Sequence, residues 1–209
     1  MNIKARAAQE DIAFLRELVE SSQSAPIPGG AIFLVGGLLY GGQTLFHWCQ
    51  AMGWLAPSTV ISLFVSIAPT VAFLLFLTYS LRQQRKSTAS GIARRALDAG
   101  FSAAGLCNTV LAAVFAWAAI QQKDLYIWLL YPIVVFALQG AAWQIAYQLQ
   151  RRFWMGVISW GWFVATIGLG LSLKTFAYGL IASLSLFLLM ALPGALMLRS
   201  EKQPSESWS

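Results

Sequence analysis

The sequence predicts an all-α, polytopic membrane protein: a six-transmembrane-helix bundle with an N-terminal cytoplasmic amphipathic helix and both termini in the cytoplasm. Three observations predict this class. The 209-residue chain is 58% hydrophobic and 11% charged, whereas soluble domains carry about 25% charged residues. Six apolar runs reach the length of roughly 20 residues that a membrane span needs. All fourteen Lys and Arg and all eight Asp and Glu residues lie outside these runs.

The six runs form one predicted membrane domain over residues 31–198. A charge at the bilayer centre costs about 2.5–3.5 kcal/mol, which explains why the runs contain none. Because lipid offers no hydrogen-bond partner to the backbone, each run must close its own hydrogen bonds as a helix. The predicted spans are 31–53, 59–81, 99–120, 125–149, 153–173 and 175–198.

Residues 1–30 are predicted to form a cytoplasmic amphipathic helix followed by a Pro/Gly linker. Between residues 4 and 20, apolar side chains recur at helical spacing on one face and charged side chains occupy the other. Residues 24–30 contain two prolines and two glycines, which end the helix before the first span. At the other end of the chain, residues 199–209 are short and polar and are predicted to form a disordered cytoplasmic tail.

The connection between the second and third spans is rich in basic residues, and its second half is expected to be helical. We expect the acidic amphipathic helix to dock near this connection, pairing Glu17 or Glu20 with Arg94 or Arg95. The alternative is that both elements are solvated independently of each other.

The distribution of Lys and Arg predicts the orientation of the chain. All of the basic residues except Lys123 and Lys174 belong to the N-terminal segment, the second and fourth connections and the tail. The positive-inside rule therefore places both termini of this multi-pass chain in the cytoplasm, and we expect its membrane to be a bacterial inner (plasma) membrane. The net charge of +6 is explained by this topology and by attraction to anionic lipid, so no nucleic-acid partner is predicted.

The first span carries the single histidine of the chain, His47, one helical turn after Gln43. At 1.5 Å per residue, His47 lies roughly 24 Å along the span, close to the outer headgroups. One interpretation is a haem or metal ligand, or a protonatable gate; the other is an interfacial anchor beside Trp48. A single histidine without an acidic neighbour favours the anchor, so no cofactor and no metal are predicted.

A few amides are the other polar groups expected inside the spans. Asn108 on the third span and Gln139 and Gln144 on the fourth are candidates for interhelical hydrogen bonds, each contributing about 0.6 kcal/mol. The spans hold no carboxylate, and the chain has no nucleophile–base motif or phosphate-binding loop. The sequence therefore predicts no catalytic residue and a protein that is not an enzyme.

Small residues spaced four apart and prolines within the spans indicate how the helices pack. Small pairs let membrane helices approach closely, within one bundle or between copies, and each proline is expected to kink its helix. Kinked helices pack within a bundle or line a substrate cavity, and both roles remain open. The pairs are Gly37/Gly41, Ala99/Ala103, Ala137/Ala141 and Gly161/Ala165, and the prolines are Pro69, Pro132 and Pro193.

Two segments in the last third of the chain resemble a group of uncharacterised small six-span bacterial inner-membrane proteins: WLLYPIVVFALQGAAWQIAYQLQRRFW (Trp128–Trp154) and LMALPGALMLR (Leu189–Arg199). The resemblance implies the six-span architecture and carries no activity. The overall arrangement is also similar to exporter permeases of the ABC-2 type, in which the amphipathic helix and the loop helix contact a separate ATPase. The chain departs from them around Lys174, where its last outer connection is almost absent and such permeases carry re-entrant helices.

Two hypotheses for the function follow. The first is a non-enzymatic membrane protein that acts through helix–helix contacts with itself or with a partner membrane protein, as the small-residue pairs and the absence of buried charge suggest. The second is a permease or channel, or the permease subunit of an exporter, for a small neutral or lipophilic solute. Its pathway would use the kinked helices and the polar residues Gln43, His47, Gln139 and Gln144.

Overall fold

The fold is known from a computed structural model, in which residues 29–84 and 92–201 are described. These residues form helices joined by short turns, which confirms the predicted all-α class. The elements are α1 (Gly30–Ala51), α2 (Thr59–Gln84), α3 (Ile92–Gln122), α4 (Leu125–Gln150), α5 (Phe153–Leu171), α6 (Ala177–Leu186), a π-helical segment (Phe187–Ala191) and α7 (Leu192–Glu201). The predicted amphipathic helix and most of the predicted tail lie outside the described residues.

The observed helices follow the predicted spans closely, with differences at their ends. Helix α3 begins at Ile92, seven residues before the predicted third span. The helical half of the second connection and the third span are therefore one continuous helix. Helix α4 begins where the Asp124 side chain accepts a hydrogen bond from the Tyr126 backbone N–H, at 2.9 Å. It ends at Arg151, whose backbone adopts the left-handed conformation with a φ of 55°.

Five of these helices are long and apolar enough to cross a membrane, with residues 177–199 counted as one helix. The chain is therefore a multi-pass membrane protein. Helix α1 has 22 residues and no charged side chain, yet it is not among the five. Its glycines, together with Gln43 and His47, lower its hydropathy below that of the other helices.

The helices form an open arc whose order differs from their order in the sequence. Helix α1 packs between α2 on one side and the α6–π–α7 helix on the other. The α6–π–α7 helix then packs against α5, α5 against α4, and α4 against α3. Helices α2 and α3 are thus the two ends of the arc, and no residue in the most apolar stretch of either is buried.

Glycines bring α1 and the α6–π–α7 helix into backbone contact. A Cβ atom on Gly37 would overlap the backbone of Ala191, and a Cβ on Gly194 would overlap the backbone of Leu34. The Ser183 hydroxyl donates a buried hydrogen bond to the carbonyl of Gly41 across the same interface, at 3.0 Å. Close backbone approach of this kind is how small residues drive helix association in lipid.

A π-helical segment, Phe187–Ala191, interrupts the last helix just before Pro193. Proline removes a backbone N–H and leaves the carbonyl one turn earlier, that of Leu189, without its usual donor. Local π-helical hydrogen bonding is one way in which a membrane helix accommodates such a proline. Pro69 and Pro132 lie inside the continuous helices α2 and α4.

An aromatic cluster joins α1, α3, α4 and α5 at the end of the bundle that carries the 151–152 connection. The Trp143 ring, fully buried on α4, lies 5.2 Å from Phe33 of α1, 5.7 Å from Phe101 of α3 and 5.8 Å from Trp154 of α5, between ring centroids. We call this the Trp154 end of the bundle. The opposite end, with the connections 52–58, 123–124 and 172–176, is the Trp48 end.

Candidate functional site

A polar network joins α1 to α2 near the Trp48 end. The Gln43 side-chain amide donates to the carbonyl of Ser66 at 2.9 Å. The Gln50 amide donates to the Ser62 hydroxyl at 3.1 Å, and His47 Nε2 lies 3.2 Å from the Ser66 hydroxyl. Three successive turns of α1 therefore each hold α2 by a side-chain hydrogen bond.

Both ring nitrogens of His47 face protein atoms. Nε2 lies 3.2 Å from the Ser66 hydroxyl, which also lies 2.8 Å from the carbonyl of Ser62. Nδ1 lies 3.4 Å from the Gln50 side-chain oxygen. The imidazole is therefore part of the polar network that joins α1 to α2.

Ser62 and Ser66 are functional partners that sequence reasoning did not single out. They stand one helical turn apart in an otherwise apolar run, and Gln43, His47 and Gln50 recur at three- to four-residue spacing on α1. Polar residues that recur at similar spacing on both helices indicate a contact of this kind. The sequence does not state which two of the helices bring their stripes together.

A partly open cavity of about 270 Å³ lies on the other side of α1 at the Trp48 end, and we call it the His47 cavity. It is bounded by the end of α1, Leu129 of α4, the 172–176 connection and the first turn of α6. His47 therefore borders both the cavity and the network with α2. The lining residues are Thr44, His47, Trp48, Ala51, Leu129, Leu173, Thr175, Phe176, Tyr178 and Gly179.

Most polar groups in the cavity wall already have backbone partners. The Trp48 indole N–H donates to the carbonyl of Phe176 at 2.8 Å, and the Tyr178 hydroxyl donates to the carbonyl of Leu129 at 2.6 Å. The two threonine hydroxyls donate within their own turns: Thr44 to Tyr40 at 2.8 Å and Thr175 to Ser172 at 3.0 Å. The cavity wall therefore presents mainly carbon and aromatic surface.

The remaining amides of the spans lie elsewhere in the bundle. Gln144 contacts the buried hydroxyl of Ser159 on α5 at 3.0 Å, and the same hydroxyl donates to the carbonyl of Gly140 at 2.8 Å. Asn108 Oδ1 and Gln139 Oε1 are buried without a hydrogen-bond partner. The structure thus brings Gln43 and His47 into one site and does not join them to the other three amides by hydrogen bonds.

The structure describes only some of the predicted docking residues. Arg94 and Arg95 lie in the first turn of α3, where the backbone alone is described, and Glu17 and Glu20 lie outside the described residues. Over residues 29–84 and 92–201, no group of three His, Cys, Asp or Glu side chains is placed to hold a metal ion.

Comparison of the chain with family models, with curated proteins and with solved structures finds no match. The resemblance to small six-span bacterial inner-membrane proteins thus stays a prediction. Two features of the bundle bear on the function of the protein: the open faces of the end helices α2 and α3, and the His47 site.

Proposed function

We propose that the protein is a six-span inner-membrane protein without catalytic activity, which acts through contacts between α3 and the α3 helix of a second copy of the chain. The observation that carries the proposal is the surface of α3. This helix packs along α4, and its most apolar stretch contains no buried residue. Its free side is therefore available to a further helix.

The exposed face of α3 has the spacing of a helix–helix interface. Seven exposed residues follow one another at alternating intervals of four and three positions, which is the spacing that keeps a stripe facing a partner helix. The stripe begins with two alanines, which permit close approach, and ends with larger side chains. We call it the α3 seam: Ala99, Ala103, Leu106, Val110, Ala113, Trp117 and Ile120.

Two of the three other small-residue pairs are occupied inside the bundle, which supports this choice of surface; in the third, Ala137/Ala141, only Ala141 is exposed. Gly37 and Gly41 are buried against the last helix, and Gly161 faces Leu189. Ala99 and Ala103, by contrast, are both exposed. Because packing between small residues is a main driving force for association in lipid, an unoccupied small pair marks the place where a second helix fits best.

The sixth span of the proposal is α1. Its 22 residues extend over about 33 Å as a helix, which matches a hydrocarbon core of about 30 Å. It lies between α2 and the last helix, so its polar side chains face protein rather than lipid. With α1 as a span, the basic connections and both termini fall on the cytoplasmic side, and the Trp48 end faces outward.

Disulfide crosslinking in native membranes tests the seam. In a chain with Cys49 and Cys107 replaced by Ala, we expect Val110→Cys to form a crosslinked dimer on mild oxidation. The matched control is Val71→Cys, a similarly exposed valine on α2, for which we expect monomer. Equal crosslinking at the two positions would indicate random collision and would contradict the proposal.

A second candidate function is favoured by the His47 cavity: passage or binding of a small neutral or lipophilic solute. Reconstituted liposomes measure it directly. Solute-dependent flux that is lost in Gln139→Leu or His47→Leu would favour a permease. Stable dimers without flux would favour the contact function.

A further inference from the structure

We infer that the His47 cavity is a binding site for a small neutral lipophilic molecule of about the size of a bicyclic aromatic compound. The inference rests on the second candidate function and not on the contact through the α3 seam, because no α3 residue lines the cavity, which lies between α1, α4, the 172–176 connection and α6.

The volume sets the size of the ligand. An apolar protein cavity of about 150 Å³ holds benzene. The His47 cavity, at about 270 Å³, is nearly twice as large. By proportion it accommodates roughly ten to twelve non-hydrogen atoms, the size of a naphthalene, a naphthoquinone or a short terpenoid.

The chemistry of the wall sets the charge of the ligand. No carboxylate, lysine or arginine lines the cavity, so a charged molecule would lose hydration without gaining a counter-charge. The hydroxyls of Thr44, Thr175 and Tyr178 and the indole N–H of Trp48 are committed to backbone carbonyls. Both ring nitrogens of His47 face protein atoms: Nε2 lies 3.2 Å from the Ser66 hydroxyl and Nδ1 lies 3.4 Å from the Gln50 side-chain oxygen.

Aromatic side chains in the wall favour a flat ring. Trp48, Phe176 and Tyr178 all border the cavity, and aromatic rings pair edge to face or in offset stacks with an additional gain over simple burial. The site therefore selects by shape and by aromatic contact rather than by hydrogen bonding.

The wall is also held in place before a ligand arrives. The Trp48 ring is fixed by its hydrogen bond to Phe176 and by an edge contact with Trp54, at 5.1 Å between ring centroids. It also packs closely on Gly179, where an added Cβ would lie 3.0 Å from the Cβ of Trp48. Tyr178 is fixed by its 2.6 Å bond to α4. A preformed site avoids the entropy cost of ordering side chains on binding.

Fluorine NMR of 2-fluoronaphthalene with the full-length protein in lipid nanodiscs tests the inference, with empty nanodiscs as the reference for partition into lipid. We expect saturable binding that naphthalene displaces and naphthalene-2-sulfonate does not. Ala51→Trp places a large side chain in the cavity wall and should weaken binding about tenfold or more. Ala56→Trp, an exposed alanine outside the cavity, should leave the affinity within about twofold of the wild type.

Three results would overturn the inference: partition no greater than into empty nanodiscs, displacement by the sulfonate as effective as by naphthalene, or unchanged affinity in Ala51→Trp. The unfolding temperature of each variant is measured alongside, and displacement in the wild-type chain decides the question if Ala51→Trp does not fold. Because dimer formation is measured separately by the Val110→Cys crosslink, failure of one experiment leaves the outcome of the other intact.

Discussion

His47 connects two structural features at the Trp48 end. One side of its ring holds α2 through Ser66, and the residue also borders the cavity formed with α4 and the 172–176 connection. The edge of the Phe46 ring packs against it at 5.5 Å between centroids. A polar side chain in such a position stabilises the helix pair and does not require a bound cofactor to explain it.

Replacing His47 with Leu should loosen the first turns of α2. The change removes one bond across the interface and the supporting contact to Gln50, at about 0.6 kcal/mol per interhelical hydrogen bond. We expect faster deuterium uptake in peptides covering residues 59–66. Thr78→Val is the control, because the Thr78 hydroxyl bonds within its own helix; uptake at residues 59–66 equal to wild type in His47→Leu would contradict the role assigned to the network.

Ser159 offers a second test at a single residue. Its fully buried hydroxyl lies within hydrogen-bond distance of the Gly140 carbonyl and the Gln144 side-chain oxygen on α4, so Ser159→Ala removes a buried hydrogen bond between α5 and α4. We expect the free energy of unfolding in detergent to fall by about 1 kcal/mol or somewhat more. Ser102→Ala removes an exposed hydroxyl that bonds Ala99 within the same turn and should have no effect; a similar loss in both variants would contradict the assignment.

At the level of elements, the association of α1 with the last helix depends on glycines rather than on large apolar side chains. Lipid is as apolar as a leucine, so burial of apolar surface does not drive two helices together in a membrane, and close packing must do so. Gly37 and Gly194 provide that packing by exposing backbone to backbone. The same pair of helices brings Trp48 of α1 against Gly179 of α6, and both residues line the His47 cavity.

Gly37→Ala should therefore destabilise the protein although alanine is the better helix former. Overpacking of a tight interface costs about 1–3 kcal/mol, which exceeds the gain in helix propensity of about 1 kcal/mol. Thermal unfolding followed by size-exclusion chromatography is the measurement. Gly42→Ala, where a Cβ would meet nothing within 4 Å, should be neutral or stabilising; an unfolding temperature raised in both variants would contradict the interface.

Most helices were predictable from the sequence because an apolar run bounded by charges, Gly or Pro leaves a chain in lipid few alternatives to a helix. Charge segregation predicted spans 125–149 and 153–173 to within two residues of α4 and α5. The continuous α3 was not predicted as one helix, since Arg94, Arg95 and Asp98 were assigned to a connection. The π-helical segment lies just before Pro193, where the sequence predicted a kink, but the π-helical form of the interruption was not predicted.

The site was predictable only in part, because it too depends on contacts between helices that are distant in the sequence. Gln43 and His47 are identifiable as polar residues in an apolar span. Serines such as Ser62 and Ser66 are common in membrane helices, and only their position beside α1 identifies them as partners of its polar side chains. The choice of α2 as the neighbour of α1, and of α6 as the wall of the cavity, is a tertiary property. The side-chain oxygens of Asn108 and Gln139 are buried without a hydrogen-bond partner in the described part of the chain, so their role as interhelical contacts stays a prediction.

For the whole molecule, the arrangement separates an inner group of helices from two outer ones. The last helix and α5 have the largest buried fractions among the five apolar helices, whereas the apolar stretches of α2 and α3 have none. Helix α1, which carries Gln43, His47 and Gln50, lies between α2 and the last helix. This distribution is expected if lipid surrounds the arc, because apolar side chains tolerate lipid and polar ones require protein partners.

The sidedness of α1 is the most direct test of the account, since the six-span count depends on it. In a chain lacking Cys49 and Cys107, single cysteines at Ser24 and Ala56 flank this helix and are labelled with a membrane-impermeant maleimide. We predict that Ala56→Cys reacts in intact cells and that Ser24→Cys reacts only after the membrane is permeabilised. Labelling of both positions from the same side would show that α1 does not cross the bilayer and would contradict the six-span arrangement.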